Sequence, residues 1–411
     1  MSSRATWLVL GALAGGLIIG GEAQHWSGKQ PWVDGAAVAG GLWLDALKMT
    51  VLPLIVALLV KGIVGGAMAA RAGRTAAISI GAFMLLYILS SLLGATAMPA
   101  LLSISPIPDA AANAFRAGIA ALGGAPVTIT RTGDVLHSFI PDNVFEAAAS
   151  GQMLKVVVFT TIFGMAVTRL SQAYREPLVN LFEAIAAAML VVVGWVIALA
   201  PLGIFLLSFV MGAQGGLAVV GAVGHYFLLY MSLGVVLLVA GYVIAVVAAR
   251  WSLGRFARAI APSQAIAFST QSSVACLPAM LVAAEKLDVR QPNADVTLPL
   301  AAAVFRVTGP AMNIGVVIYL AALLGVPLSM GSMLAGFAIA SVMSIGSPGI
   351  PGQSSFITTI APIAAAMGVP IAPLAIFVAL EPIPDMLRTV ANVTVDVAVA
   401  GAVDKFASSE S

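Results

Sequence analysis

The sequence predicts an all-α protein that crosses a membrane several times, and its composition is the first reason. Of its 411 residues, 61% are hydrophobic and only 9% are charged, and the mean hydropathy is +1.06. Soluble domains carry about 25% charged residues, so this chain has too few charges to cover a surface that faces water. The composition excludes a cytosolic enzyme and a disordered protein.

The net charge and the metal-binding residue types exclude further classes. The only cysteine, Cys276, forbids an internal disulfide, and three histidines far apart in the sequence argue against a zinc centre. A net charge of +2, spread over short connections, argues against a nucleic-acid partner. We therefore expect no bound cofactor, and we expect the lipid bilayer to be the surroundings of the chain.

Long apolar runs are the second reason for the predicted fold, since a membrane-spanning helix needs about 20 mostly apolar residues. The runs cover 7–21, 39–70, 76–104, 153–170, 180–213, 217–249, 297–325 and 371–400, which predicts about eight spans. The Lys and Arg residues between them place both termini in the cytoplasm. The first run lacks a clear small-x-small cleavage site, so we interpret it as a span, with a cleaved secretion signal as the alternative.

Two interrupted apolar segments are the third reason. The segment 259–284 has basic residues on both sides, a polar centre at 269–273 and Pro278 close behind. The segment 334–370 repeats this pattern with a polar tip at 346–355. We expect two re-entrant helical hairpins that enter from opposite faces, because interrupted helices in matching positions are typical of a transporter binding site. Ordinary loops outside the membrane are the alternative.

The last run carries a stripe of polar and charged residues, which the spacing places along one face of a helix. Its members are Glu381, Asp385, Arg388, Asn392 and Asp396. Each charge costs about 2.5–3.5 kcal/mol at the centre of a spanning helix, so the stripe must face protein, water, ions or a substrate. A structural ladder of ion pairs is the alternative.

Arg306 is the other costly residue, because it falls in the middle of the run 297–325. Its simplest role is a salt bridge to a carboxylate of the last run. Pro382 and Pro384 are expected to disturb the helix at the start of the stripe and to free backbone carbonyls there.

Several motifs resemble the dicarboxylate/amino acid:cation symporter family, the glutamate transporter homologues, over nearly the whole chain. The most specific match is Asp385-Met-Leu-Arg388-Thr-Val-Ala-Asn392-Val-Thr-Val-Asp396. Thr270-Gln-Ser-Ser-Val-Ala-Cys-Leu-Pro278 and Gly349-Ile-Pro-Gly352 are similar to the two hairpin tips of the family. Further matches begin at Leu47, Ile140 and Ala200.

The resemblance implies a homotrimer in which a transport domain slides through a static scaffold as an elevator. It implies a scaffold at 1–75, a transport-domain span at 76–104, a mainly scaffold and trimerisation region at 105–250 that includes the transport-domain span 217–249, and a core transport domain at 251–411. The implied location is the cytoplasmic (inner) membrane of a bacterium.

The resemblance also implies residue roles in binding a small acidic amino acid or a related dicarboxylate. Arg388 would hold the side-chain carboxylate in its planar fork, Asp385 the ammonium and Asn392 the α-carboxylate. The other implied substrate-binding residues are Gln271, Ser272, Ser273, Ile350, Ser354 and Thr389.

Departures from the family pattern change the expected coupling. Phe305 and Val307 stand where the family has an asparagine and an aspartate that ligates sodium, and Arg306 between them would repel a cation. Gln271 replaces an arginine of many prokaryotic members, and Gly309 replaces a threonine at the substrate contact, which leaves the substrate open.

These departures lead us to expect a transporter that is proton-coupled or sodium-independent. Arg306, Glu381 and Asp396 would be its coupling and charge-compensating residues, with Arg306 in place of a sodium ion and facing Asp396. Glu381 would carry the proton, because burial among like charges favours the neutral carboxyl. The alternative is sodium-coupled symport, with residual sodium at Asn392, Asp396 and backbone carbonyls.

Two other functions compete with secondary transport. Serines at both hairpin tips would suit an intramembrane hydrolase, but no His or Lys stands convincingly beside either tip to act as a base. A channel is the second rival, since members of the resembled family leak anions. Saturable, stereoselective uptake into liposomes distinguishes a carrier from both.

Overall fold

A computed structural model describes residues 3–71, 73–121, 142–150, 152–216, 218–345 and 353–408, and every regular element in these ranges is an α-helix. The helices up to residue 247 are α1 (Ser3–Ala23), α2 (Gln30–Arg71), α3 (Arg74–Ile104), α4 (Asp109–Ala121), α5 (Val144–Ala149), α6 (Met153–Val167), α7 (Gln172–Ala198), α8 (Ala200–Gly215) and α9 (Ala218–Val247). The later helices are α10 (Leu253–Thr270), α11 (Ser273–Lys286), α12 (Gln291–Val304), α13 (Thr308–Leu324), α14 (Met330–Ile345), α15 (Gln353–Ala366), α16 (Leu374–Phe377) and α17 (Pro382–Ser408).

Several of these helices are suited to a bilayer. Among the described residues, 6 helical segments are long and apolar enough to cross a membrane: α2, α3, α7, α9, α12 with α13, and α17. The predicted spans 7–21 and 153–170 correspond to α1 and α6, whose apolar parts are shorter. The predicted helical, multi-pass membrane fold is confirmed.

The apolar run 180–213, predicted as one span, is two helices. α7 ends at Ala198, α8 begins at Ala200, and Leu199 lies between them. Pro201 is the physical reason, because proline has no N–H and its ring clashes with the carbonyl four residues earlier, while it fits the first turn of a new helix.

The stripe of the last run also differs from the prediction at its start. α17 begins at Pro382, so Glu381 stands at the N-cap, immediately before the first helical residue. The prolines at 382 and 384 favour a helix start at this point, where their missing N–H groups would be unpaired in any case. Asp385, in the first turn, donates its backbone N–H to the Glu381 carbonyl at 2.9 Å.

Both predicted hairpins are helix pairs. α10 packs on α11 and α14 packs on α15. The first tip turns at Gln271, whose φ of 53° is left-handed, and at Ser272. The tip of the second hairpin, at 346–352, lies outside the described residues. The run 297–325 is also interrupted, because residues 305–307 separate α12 from α13.

Small residues bring α1 unusually close to α8. A Cβ atom at Gly16 would lie 2.6 Å from the Phe205 carbonyl oxygen, and one at Gly212 would lie 2.5 Å from the Leu17 carbonyl oxygen. Only glycine permits this approach of the two backbones. α8 also packs on α2 and α4, and α2 packs on α6 and α7.

A second group of helices surrounds α17. It packs on α3, α9, α10 and α12, and residues 391–400 are all buried. These packing groups place the polar stripe inside the protein, away from lipid. The predicted division into scaffold and transport domain stays a prediction.

Candidate functional site

Three helix interruptions meet beside the first turns of α17. The side-chain amide of Gln271, at the first hairpin tip, donates to the Pro382 carbonyl at 3.2 Å. The Asn392 side-chain oxygen accepts from the backbone N–H of Thr308, the first residue of α13, at 3.0 Å. Broken helices expose backbone groups inside a membrane protein only where protein or a water-filled cavity satisfies them. The first hairpin tip and the break between α12 and α13 therefore both contact the last helix.

A buried ion pair lies at the centre of this region. Arg388 donates through Nη1 to Glu381 Oε1 at 2.6 Å, and the two side chains are 13% and 1% exposed. The bond is charge-assisted and sits away from water, so both charges depend on each other. Glu381 reaches Arg388 from the segment just before α17.

Two neutral groups complete the surroundings of this pair. Tyr230 of α9 donates to Glu381 Oε2 at 3.3 Å and accepts from Arg388 Nη1 at 3.2 Å. Asn313 of α13 accepts from Arg388 Nη2 at 3.3 Å. The sequence analysis missed both residues. The available signal was weak, because α9 carries several hydroxyl side chains and its spacing does not single out Tyr230, while Asn313 is a single amide in an apolar run.

Asp385 and Thr389 lie one turn apart on α17. Asp385 is partly buried, and its charge interacts with those of Arg388 and Arg306. The Thr389 hydroxyl donates to the Asp385 carbonyl at 2.8 Å, within its own helix. Asp385 is thus a carboxylate that both guanidinium groups attract.

The predicted tip residues divide into described and undescribed ones. Ser272 caps α11 by accepting from the Ala275 N–H at 3.3 Å, and Ser273 is buried. Ile350 lies outside the described residues, as does the side chain of Ser354.

Arg306 lies in the break between α12 and α13. Its backbone N–H donates to the Tyr87 hydroxyl at 2.9 Å, and that hydroxyl donates to the Val304 carbonyl at 2.6 Å. Tyr87 of α3 therefore fixes the interrupted backbone on both sides of Phe305. The Arg306 charge interacts with the charges of Asp385 and Asp396.

Asp396 is the most isolated ionisable group of the site. Its exposed fraction is 0%, and neither carboxylate oxygen has a hydrogen-bond partner among the described residues. The expected direct contact with Arg306 is therefore not made, and their interaction acts at longer range, where low polarity keeps it strong. The buried Thr308 hydroxyl also lacks a partner there. A carboxylate in this position needs a proton, a cation or a nearby positive charge.

In the part of the chain that the structure describes, no group of three or more His, Cys, Asp or Glu side chains could hold a metal ion. What the arrangement offers is two guanidinium groups, three carboxylates and an amide, which suits recognition of a small charged molecule.

Comparison with known proteins agrees with this description. Residues 5–406 match the model of the sodium:dicarboxylate symporter family. The proton/glutamate-aspartate symporter of Escherichia coli (strain K12) is 27% identical over 407 residues, which cover 94% of this chain and 89% of that protein. The proton/sodium-glutamate symport protein of Bacillus subtilis (strain 168) is 26% identical, with 95% and 89% covered.

A further relative is named for transport of a different substrate. The C4-dicarboxylate transport protein of Leptothrix cholodnii is 26% identical over 396 residues, with 93% of this chain and 84% of that protein covered. The match of the family model over nearly the whole chain decides the classification. The chain belongs to the sodium:dicarboxylate symporter family and is a membrane transporter, not an enzyme.

Proposed function

We propose that this protein is a secondary active transporter that imports an acidic amino acid together with protons and without sodium. The observation that carries the coupling is the buried pair of Arg388 and Glu381. The relatives named for proton/glutamate-aspartate and proton/sodium-glutamate symport support the substrate class.

Substrate and Glu381 compete for the same guanidinium in this mechanism. The side-chain carboxylate of aspartate needs the planar fork of Arg388, which Glu381 already holds at 2.6 Å. Binding of substrate displaces Glu381, which then lies buried with Tyr230 as its remaining partner. A buried carboxylate without a counter-charge is unfavourable, so Glu381 takes up a proton. Each substrate carboxylate thus brings one proton into the site.

The charge balance supports a proton over sodium. Arg306 and Arg388 oppose Glu381, Asp385 and Asp396, so the formal sum is +2 − 3 = −1. Aspartate lowers the sum to −2, which a site inside the membrane does not tolerate without a cation. Arg306 supplies the charge that a sodium ion would otherwise bring to Asp396, and Phe305 and Val307 offer no side-chain oxygen.

Asp385 is our assignment for the substrate ammonium, since it is partly buried and lies one turn from Arg388. A C4-dicarboxylate is the second candidate substrate, and one observation favours it. The Arg306 charge interacts with Asp385, so Asp385 is compensated even when the substrate has no amino group. Competition of labelled aspartate uptake by unlabelled aspartate and by succinate separates the two.

We also propose the elevator mechanism, a homotrimer and an inner-membrane location with both termini in the cytoplasm. A cavity of about 610 Å³ lies between α2 and α7 on one side and the ends of α12 and α14 on the other. Leu58, Met68 and Leu190 face Val304 and Ile345 across it. A loosely packed boundary at this place would permit one group of helices to slide past the other.

Removal of sodium tests the coupling ion. With sodium replaced by choline, aspartate affinity is expected to change less than threefold, and an inward proton gradient is expected to drive accumulation in liposomes. Titration of the purified protein and uptake with imposed gradients measure these. A hundredfold loss of affinity in choline would contradict the role of Arg306 and would favour a sodium ion at the unpartnered Asp396 carboxylate.

Replacing Glu381 tests the proton carrier. In Glu381→Gln the guanidinium of Arg388 is no longer neutralised, so aspartate affinity is expected to rise and to lose its pH dependence between pH 5 and 8. Proton-driven accumulation is expected to fall at least tenfold, while aspartate exchange stays measurable. Glu183→Gln is the matched control, because Glu183 forms a half-exposed pair with Lys61 at 2.5 Å. Undiminished proton-driven accumulation in Glu381→Gln contradicts the assignment.

A further inference from the structure

We infer that one histidine and three tyrosines bring the coupling proton to Glu381 from the end of the bundle where α3 ends and α9 begins. These residues, here called the proton path, are His225, Tyr319, Tyr226 and Tyr230. The inference rests on the proposed proton coupling and adds the route. By the predicted orientation, this end of the bundle faces the outside of the cell.

The inner end of the proton path touches the proton acceptor. The Tyr230 hydroxyl is 3.3 Å from Glu381 Oε2, and neither residue is exposed to more than 1%. Solvent therefore has no direct access to this carboxylate, and its proton must arrive through a neighbour. Tyr230 is the only neutral hydroxyl that the described residues place against it.

The outer end of the proton path lies near the surface. His225 is partly exposed, and its Nδ1 is 3.1 Å from the Tyr319 hydroxyl. Its Nε2 is 3.1 Å from Ser105 Oγ and 3.0 Å from the Ser105 carbonyl, in the connection between α3 and α4. An imidazole bonded at both nitrogens can accept a proton on one and release another from the other.

Tyr226 links the two ends. Its ring lies 5.2 Å from the Tyr230 ring and 5.2 Å from the Tyr319 ring, measured between centroids. Its hydroxyl is fully buried without a partner among the described residues, although phenol hydroxyls in a protein core normally find one. A phenylalanine would fill this place without that penalty. The hydroxyl is explained if it relays a proton through bridging water, because it has no direct hydrogen-bond partner among the described residues.

The transfer leaves every relay group unchanged. In this structure the Tyr319 hydroxyl donates to the Ala222 carbonyl at 2.9 Å, so it must first turn toward Tyr226. Each hydroxyl then accepts a proton on one side and passes its own to the next, so no tyrosine becomes charged. One proton leaves the water at His225, and one forms the carboxyl of Glu381 once the substrate has displaced it from Arg388. The charged groups at the inner end are Arg388 and Asp385, and Arg116 of α4 bonds the Leu323 carbonyl near the outer end.

Tyr226→Phe tests the proton path. The initial rate of proton-driven aspartate uptake is expected to fall at least tenfold, whereas exchange of internal for external aspartate, which needs no net proton movement, falls less than twofold. The solvent isotope effect of the residual uptake is expected to change as well. Tyr242→Phe is the matched control, because Tyr242 lies on the same helix as Tyr226 and its hydroxyl is bonded to Gln264 of α10. This variant should keep the wild-type ratio of proton-driven uptake to exchange.

The outcomes separate the route from the coupling. Wild-type uptake rates and isotope effect in a folded Tyr226→Phe protein overturn the proton path. Absence of any proton-gradient effect in the wild type overturns the proposed coupling instead, whatever the variant does. Tyr319→Phe, which cuts the bond to His225, should reproduce the loss if Tyr226→Phe does not fold. A Tyr319→Phe protein with the wild-type ratio also overturns the route.

Discussion

Arg388→Gln is expected to abolish binding of acidic substrates. The substrate carboxylate would enter a buried site without its guanidinium partner, and loss of one member of a buried charged pair costs about 2–5 kcal/mol. This corresponds to roughly a 30-fold to several thousand-fold loss of affinity. Calorimetric titration of the purified protein with aspartate, in choline and in sodium, measures the change.

A second variant keeps this result interpretable. Arg388→Gln leaves the Glu381 carboxylate buried with 1% exposure and no counter-charge, so the single variant is also expected to be less stable. The double variant Arg388→Gln/Glu381→Gln removes both charges and should recover thermal stability without recovering binding. Arg255→Gln breaks an exposed pair with Asp288 and serves as the control. Tight aspartate binding by either Arg388 variant would contradict the assignment of Arg388 to the substrate carboxylate.

Arg306→Met is expected to weaken aspartate binding in choline about a hundredfold and to make binding depend on sodium. The variant keeps Asp385 and Asp396 but removes the positive charge that interacts with both. The carboxylates of Asp385 and Asp396 then need another cation. Oxygens of Asp396, Asn392 and Thr308 are the available ligands for sodium. Titrations at increasing sodium concentration should show affinity returning toward the wild-type value.

Two companion variants distinguish charge compensation by Arg306 from a role in packing alone. Arg306→Met/Asp396→Asn removes one carboxylate with the guanidinium, so its need for sodium should be smaller than that of Arg306→Met. Arg258→Met, at an exposed residue of α10 whose Nε donates to Gly254, controls for loss of an arginine. If Arg306→Met binds aspartate equally well in choline and in sodium, Arg306 is only a packing residue and does not replace an ion.

Much of this site could be predicted because a lipid surrounding makes polar residues conspicuous. The stripe from Asp385 to Asp396 stands out at helical spacing in an apolar run, and the structure buries it among other helices. The polar turn at Gln271 stands out for the same reason and does separate two helices. The high cost of charges in a bilayer leaves few structural explanations for either.

The rest depended on contacts that no single segment contains. Glu381 reaches Arg388 seven residues later from the N-cap position before Pro382, and helical spacing predicts contacts only between neighbours three or four residues apart. Tyr230 and Asn313 come from two other helices, which only the fold brings to the guanidinium. The break at Leu199 lies in an apolar run, where one proline was the only warning.

The close packing of α1 against α8 has a consequence for the insertion of the chain into the membrane. α1 ends at Ala23 and α8, the partner that its glycines contact, begins at Ala200, so 176 residues lie between them. At a synthesis rate of about 5–20 residues per second, the first helix waits roughly 10–35 s in the bilayer before that partner exists. Its glycine surface therefore meets lipid or the insertion machinery before α8 is made.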